Sequence, residues 1–358
     1  HQAMGASRSQ QLDMRKNIKG STPFGGTSSC TATVIAWIFG PTADPLIRCP
    51  LEQVDMWYQV WLAAAAADKQ DTRFTWHKIL VDKMAQIQKP FTFLRTGHVV
   101  RNRTVLAAMT NKQSNDDGTI SSEEISWLCR RAEGGFGIVT TAATHVSKDG
   151  QGWDGEFGIF NDSHIAGLKL LTDNLRSKGA ISIAQIFHGG MRSPQRLTGV
   201  QPISASKNKC SESLYGFSRS ASEQDIVRLI NDFSDAALRC ANSGFDGIEL
   251  HGAHGYLISQ FLGSKTNRRN DSWGGDIIYR AKFLIEILRS IKLKVPDNFI
   301  IGVRISPEIE KIGINLHDSI KLAEILRDEE IDFLHLSCGD SFSRSICEPE
   351  DPRFITEW

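Results

Sequence analysis

The sequence predicts an α/β fold, a (β/α)8 barrel of which about six strand–helix units are present, and three observations carry that expectation. From Phe91 onward, short apolar runs rich in β-branched residues recur, each followed by a glycine or polar turn and then by a helical pattern. The runs are continuous rather than alternating, as suits strands buried on both faces of a parallel sheet. The turn after the first run reads Thr110-Asn111-Lys112-Gln113-Ser114, without the GxGxxG that an open doubly wound sheet usually places there, which favours the closed barrel.

The elements follow in order. Residues 1–83 hold four of the eight tryptophans, the run Ala63 to Ala67 and a Gly/Ser/Thr/Pro-rich stretch from Gly20 to Thr31, with no strand–helix alternation. They are expected to be an extension, disordered or non-native, and Met84 is a natural start for the barrel domain, 84–358. Strands are expected at Thr104 to Met109, Phe136 to Thr141, Ala180 to Phe187, Phe245 to His251, Phe299 to Ile305 and Ile331 to Ser337. Ser121 with Glu124 forms a capping box ahead of one helix. Ser222 caps another, whose apolar residues Ile226, Leu229, Ile230, Phe233, Ala237 and Cys240 fall at helical spacing before Gly244 stops it. Further helices are expected over Ser163 to Leu175, Ile277 to Ile291 and Leu316 to Leu326.

Composition excludes several classes. Apolar residues make up 41% and charged residues 23% of 358, an ordinary globular balance that supports a buried core. Lys plus Arg equals Asp plus Glu at 41 each, so no basic field exists to gather nucleic acid or an anionic membrane. The longest apolar runs, Ala32 to Phe39 and Val60 to Ala67, fall well short of the ~20 residues a bilayer span requires. Seven sparse cysteines, the closest pair being Cys338 and Cys347, lack CxxC spacing and read as reduced thiols of a cytoplasmic protein.

In a barrel the polar residues at the carboxyl ends of the strands are the candidates for chemistry, because the βα loops build the site there. These are Thr110, Ala142-Ala143-Thr144, Gln185 with His188, His251 with His254 and Tyr256, and Arg304. A buried Gln offers an amide donor and a carbonyl acceptor, and Arg a fixed cationic fork, so the pair suits a planar heterocycle with alternating imide and carbonyl groups, such as flavin. In His251-Gly252-Ala253-His254-Gly255-Tyr256-Leu257, two histidines can donate to a carbonyl oxygen while a nearby phenol gives a proton. A zinc site is disfavoured, since HxxH lacks the glutamate of HExxH and no third ligand is evident. A purely structural histidine pair stays open as the alternative.

From about Pro90 onward the sequence resembles the old yellow enzyme, or NADH:flavin oxidoreductase, family of FMN-dependent ene-reductases. The resemblance rests on Asn102-Arg103-Thr104-Val105-Leu106-Ala107-Ala108-Met109-Thr110, Arg131-Ala132-Glu133-Gly134-Gly135-Phe136-Gly137, Gln185-Ile186-Phe187-His188-Gly189-Gly190-Met191-Arg192, and His251 to Leu257 with Gln260-Phe261-Leu262. It continues through Asn267-Arg268-Arg269-Asn270-Asp271, Trp273-Gly274-Gly275, Arg280 and Gly302-Val303-Arg304. The resemblance implies FMN over the carboxyl-terminal mouth of the barrel, with Ala107, Ala108, Thr110 and Ala143 lining it, Gln185 at its pyrimidine edge and Arg304 near N1 and the C2 carbonyl. It implies that His251 and His254 hold the carbonyl or nitro oxygen of an activated alkene such as an enone, and that Tyr256 protonates its α carbon. NADH or NADPH is the implied hydride donor, a small molecule the implied partner, and a homo-oligomer is compatible. Met191 to Ser220 resembles the family's substrate-capping excursion.

Two departures stand out. Ala108 occupies a position where the family commonly has proline. The sequence ends after the sixth strand and its loop, whereas the family holds the FMN phosphate in loops after strands seven and eight, so a flavin-free, inactive barrel fragment acting at most as a binding scaffold is the rival expectation.

Overall fold

The computed structural model describes residues 87–337 and 339. The expected extension, residues 1–83, and the pair Cys338 and Cys347 lie outside the described residues, while Cys129, Cys210 and Cys240 are buried free thiols.

Six parallel strands form one sheet: β3 (Val105–Leu106), β4 (Ile138–His145), β5 (Ile181–Phe187), β8 (Gly247–Gly252), β9 (Ile300–Ile305) and β10 (Phe333–Leu336). They lie in the sheet in that order, each parallel to its neighbour. The helices on its outer side are α1 (Ser122–Glu133), α2 (Ile165–Ser177), α4 (Glu223–Asn242), α5 (Leu257–Leu262), α6 (Ile277–Lys292) and α7 (Leu316–Asp328). Between β5 and α4 the excursion carries a short helix α3 (Gln195–Thr198) and a pair of two-residue strands, β6 (Ile203–Ser204) and β7 (Arg219–Ser220). Each expected strand and helix is present, with ends displaced by a few residues.

The strand period of two sorts side chains onto two faces. Val139, Ala184, Ile186, Ile248, Leu250, Ile301, Val303 and Ile305 pack outward in the main core with the helices. The opposite face is graded along the strands. At its amino-terminal end Ile138, Ile183, Ile300 and Phe333 form a second apolar cluster with Phe93 and Val100. Phe93 follows β1 (Phe91–Thr92) and Val100 ends β2 (Val99–Val100), the two strands of an antiparallel hairpin that covers this end. Arg95 fastens it, donating from Nε to Asp332 at 2.9 Å and from Nη2 to the Phe299 carbonyl at 2.6 Å. Two residues further along each strand the inward positions turn polar, as Gln185, Glu249 and His335. Gly302 shares that level because a Cβ there would stand 2.1 Å from the Phe333 ring.

The capping signals differ in outcome. Ser222 and Asp225 close a full capping box on α4. At α1 only half the expected box forms: Ser121 accepts the Glu124 amide, but the Glu124 carboxylate turns inward to Ser114 and Asn111. A buried carboxylate with two side-chain donors available gains more from them than from one cap N–H.

Candidate active site

The site grows from the carboxyl ends of β8 and β9. His251 is the next-to-last residue of β8, and the chain turns through Ala253-His254-Gly255 into α5, whose first residue follows Tyr256. His254 takes φ +62°, an unusual conformation for a residue with a Cβ, and its surroundings hold it there. Its N–H donates to Ser306 Oγ at 3.0 Å, and its Nε2 lies 2.8 Å from Ser337 Oγ. The turn therefore sets the two imidazoles edge to face, centroids 5.0 Å apart, with the Tyr256 ring 5.1 Å from His251. Phe187, at the end of β5, packs edge-on to Tyr256 at 4.6 Å.

Gln260 locks this turn to the start of the excursion after β5. Its Oε1 accepts the Met191 N–H at 3.0 Å, and its Nε2 donates to the carbonyls of Gly255 at 2.9 Å and Gly189 at 3.2 Å. Gly190, at φ +63°, leaves room for that amide: a Cβ would stand 2.4 Å from Gln260 Oε1.

Burial decides the protonation states. It lowers both His251 and His254 well below the ordinary imidazole value, helped for His251 by His254 and for both by Arg304 and His335. Both rings are neutral near pH 7, so each carries one N–H. His251 Nδ1 accepts the Ala253 N–H at 3.3 Å, which leaves the hydrogen on Nε2. Burial pushes Tyr256 up to about 12, keeping the phenol protonated.

Arg304 stands beside them, 1% exposed, donating from Nη1 to the Ala108 carbonyl at 3.2 Å and from Nη2 to Ser337 Oγ at 2.9 Å. Its Nε–H has no partner among the described residues. Gln185 pairs in register with Ala143, just past an irregularity in β4 between Thr140 and Ala143. Such bulges often stand beside active sites.

Of the residues expected from the sequence, Ala107, Ala108, Ala143, Gln185, His251 and Arg304 are buried, His254 and Tyr256 half-buried, and Thr110 alone is exposed. His188, also expected at the mouth, is buried beside the loop after β5: its Nδ1 accepts the Gly190 N–H and its Nε2 lies 3.6 Å from Asp149. It shapes the loop after β5. Glu249, His335 and Ser337 were not singled out from the sequence. A carboxylate and an imidazole inside two otherwise apolar strand runs were the signal for the first two. Among the described residues, no group of three or more His, Cys, Asp or Glu is placed to hold a metal, and no helix is long and apolar enough to cross a membrane.

Comparison with known proteins bears on this geometry. The model of the NADH:flavin oxidoreductase / NADH oxidase family matches residues 86–351. The chain is 35% identical over 268 residues to the probable NADH-dependent flavin oxidoreductase YqiG of Bacillus subtilis, covering 74% of this chain and 71% of that protein. It is 38% identical over 274 residues to the NADH:acrylate oxidoreductase of Vibrio harveyi, but those residues, 75% of this chain, span only 27% of that relative. Among solved structures, the old yellow enzyme homologue from Zymomonas mobilis superposes with TM-score 0.65 at 26% identity, over 70% of this chain and 73% of that one. Morphinone reductase in complex with tetrahydroNAD superposes with TM-score 0.64 at 25% identity, over 74% and 75%.

Proposed function

The chain belongs to the NADH:flavin oxidoreductase / NADH oxidase family, and from that membership we propose that it reduces the activated C=C bond of enones or related electrophiles at the mouth formed by β8 and β9. FMN and NADH or NADPH are the cofactors of this family of oxidoreductases. The observation that carries the proposal is the convergence of two neutral imidazoles and a protonated phenol beside Arg304 and Gln185. The cytoplasmic location expected from the sequence belongs to the same proposal.

The residues present fit a flavin ring. Arg304 keeps a buried N–H without a partner among the described residues, and Gln185, whose amide nitrogen is engaged by Glu249, has a carbonyl oxygen left to accept an imide hydrogen. Ala107, Ala108 and Ala143 give small walls, with Thr110 at the rim. Bound there, FMN supplies the hydride that no side chain of this protein can provide.

The chain's own groups do the rest. His251, donating from Nε2, and His254 hold the substrate's carbonyl or nitro oxygen as neutral donors. A neutral donor polarises that oxygen and leaves no buried cation to be desolvated. Tyr256, whose phenol stays protonated across the physiological range, gives its proton to the α carbon. Gln260 keeps Tyr256 in place by tying its turn to the loop after β5.

Addition of FMN to the purified protein tests the proposal. The expected result is a retained flavin absorbance band that NADH or NADPH bleaches without oxygen and cyclohexenone restores, with His251→Ala weakening enone and phenol binding. A colourless protein that ignores FMN and reduces no enone would favour the flavin-free scaffold.

A further inference from the structure

Glu249 is a carboxylate that neither substrate binding nor protonation uses, yet it sits 2% exposed in the middle of β8. Each of its oxygens has one side-chain partner. Oε1 receives the Gln185 amide nitrogen, on the neighbouring strand, at 2.5 Å, and Oε2 lies 2.8 Å from His335 Nδ1, two strands away on β10. Burying a lone carboxylate costs several kcal/mol, so its persistence here calls for compensation. Burial raises its pKa, but His335, Arg304 and the Gln185 amide outweigh that and hold the carboxyl below its ordinary value. An ionised carboxylate only accepts hydrogen bonds, so the groups facing it must be N–H.

That constraint acts on Gln185, whose amide has a donating and an accepting end of nearly equal shape. With the NH2 end drawn to Glu249, the carbonyl end is the one left for a ligand. From this pairing we propose that Glu249 is a positioning residue that selects the end of Gln185 offered to the flavin's pyrimidine edge, offsets the Arg304 charge there, and thereby sets the flavin reduction potential. The inference rests on the flavin site proposed above.

Two FMN-loaded variants test it, with potentials read by equilibration against a reference dye. Glu249→Gln removes the buried anion and lets the Gln185 amide turn over. Its potential should move to more positive values, because reduced flavin gains negative charge, and its Kd for FMN should rise about tenfold, the equivalent of one misaligned buried hydrogen bond. The exchange Gln185→Glu with Glu249→Gln keeps the volume, the hydrogen bond and the charge count, but moves the anion to the residue facing the ring. Its potential should move to more negative values. This second variant stays readable should the single one fail to fold. Unchanged potentials, or shifts in the same direction, would overturn the role of Glu249. A wild-type protein that takes up no FMN would instead overturn the flavin site, and the inference with it.

Discussion

The guanidinium of Arg304, on β9, donates to the main-chain carbonyl of Ala108 at 3.2 Å, although β8, β5 and β4 stand between β9 and β3 in the sheet. A flat sheet would hold those strands some 19 Å apart, at about 4.8 Å per step. The contact therefore measures how far the sheet curls toward closure, and it is made by a residue at the proposed flavin site. Arg304→Lys keeps the charge but loses the fork that spans Ala108 and Ser337. Urea unfolding should show a loss of about 1–3 kcal/mol, and FMN titration a weaker complex.

Tyr256→Phe should separate the two half-reactions. On the proposed mechanism Tyr256 serves only the alkene, so the anaerobic rate of flavin reduction by NADH or NADPH should stay near wild type in stopped flow. Reoxidation by cyclohexenone should slow by about 10²- to 10⁴-fold, the usual worth of a general acid. Equal slowing of both would remove the phenol from its assigned role.

The pH dependence of stability should carry the mark of His145. Burial first, then His164 and His188, pull this imidazole down to about 3. Below about pH 6.5 the unfolded chain binds a proton at this residue that the folded protein refuses, so stability falls as pH drops from there toward 3. Across that window His145 alone contributes a slope of about 1.4 kcal/mol per pH unit. His145→Gln should flatten the slope by that amount in urea titrations between pH 6 and 4. Glu156, 3.8 Å away with its carboxyl raised by burial, works in the opposite sense and keeps the total slope shallower.

Removal of residues 1–83 should leave the barrel domain folded, because that stretch carries no strand–helix pattern. Circular dichroism and thermal melting of the shortened chain measure this. Loss of soluble protein would make the stretch part of the fold.

Strand and helix positions were legible because burial on two faces writes continuous apolar runs, and period 3.6 writes the helices between them. The run Phe299 to Ile305 announced a strand, observed at Ile300–Ile305, and Arg304 near its end announced a polar mouth. The histidine and tyrosine triplet was legible for a related reason: residues of one turn are close in sequence, so their proximity needs no fold to establish it. Contacts between strands are another matter. That Gln185 faces Glu249, that Glu249 reaches His335, and that Ser337 joins Arg304 to His254 all depend on register and curl. A one-residue slip in any strand would turn its inward set outward, and no local pattern records which register is taken. The amino-acid order thus names the strands and the turn that bear the proposed chemistry, while long-range pairing alone decides which buried charges meet beneath it.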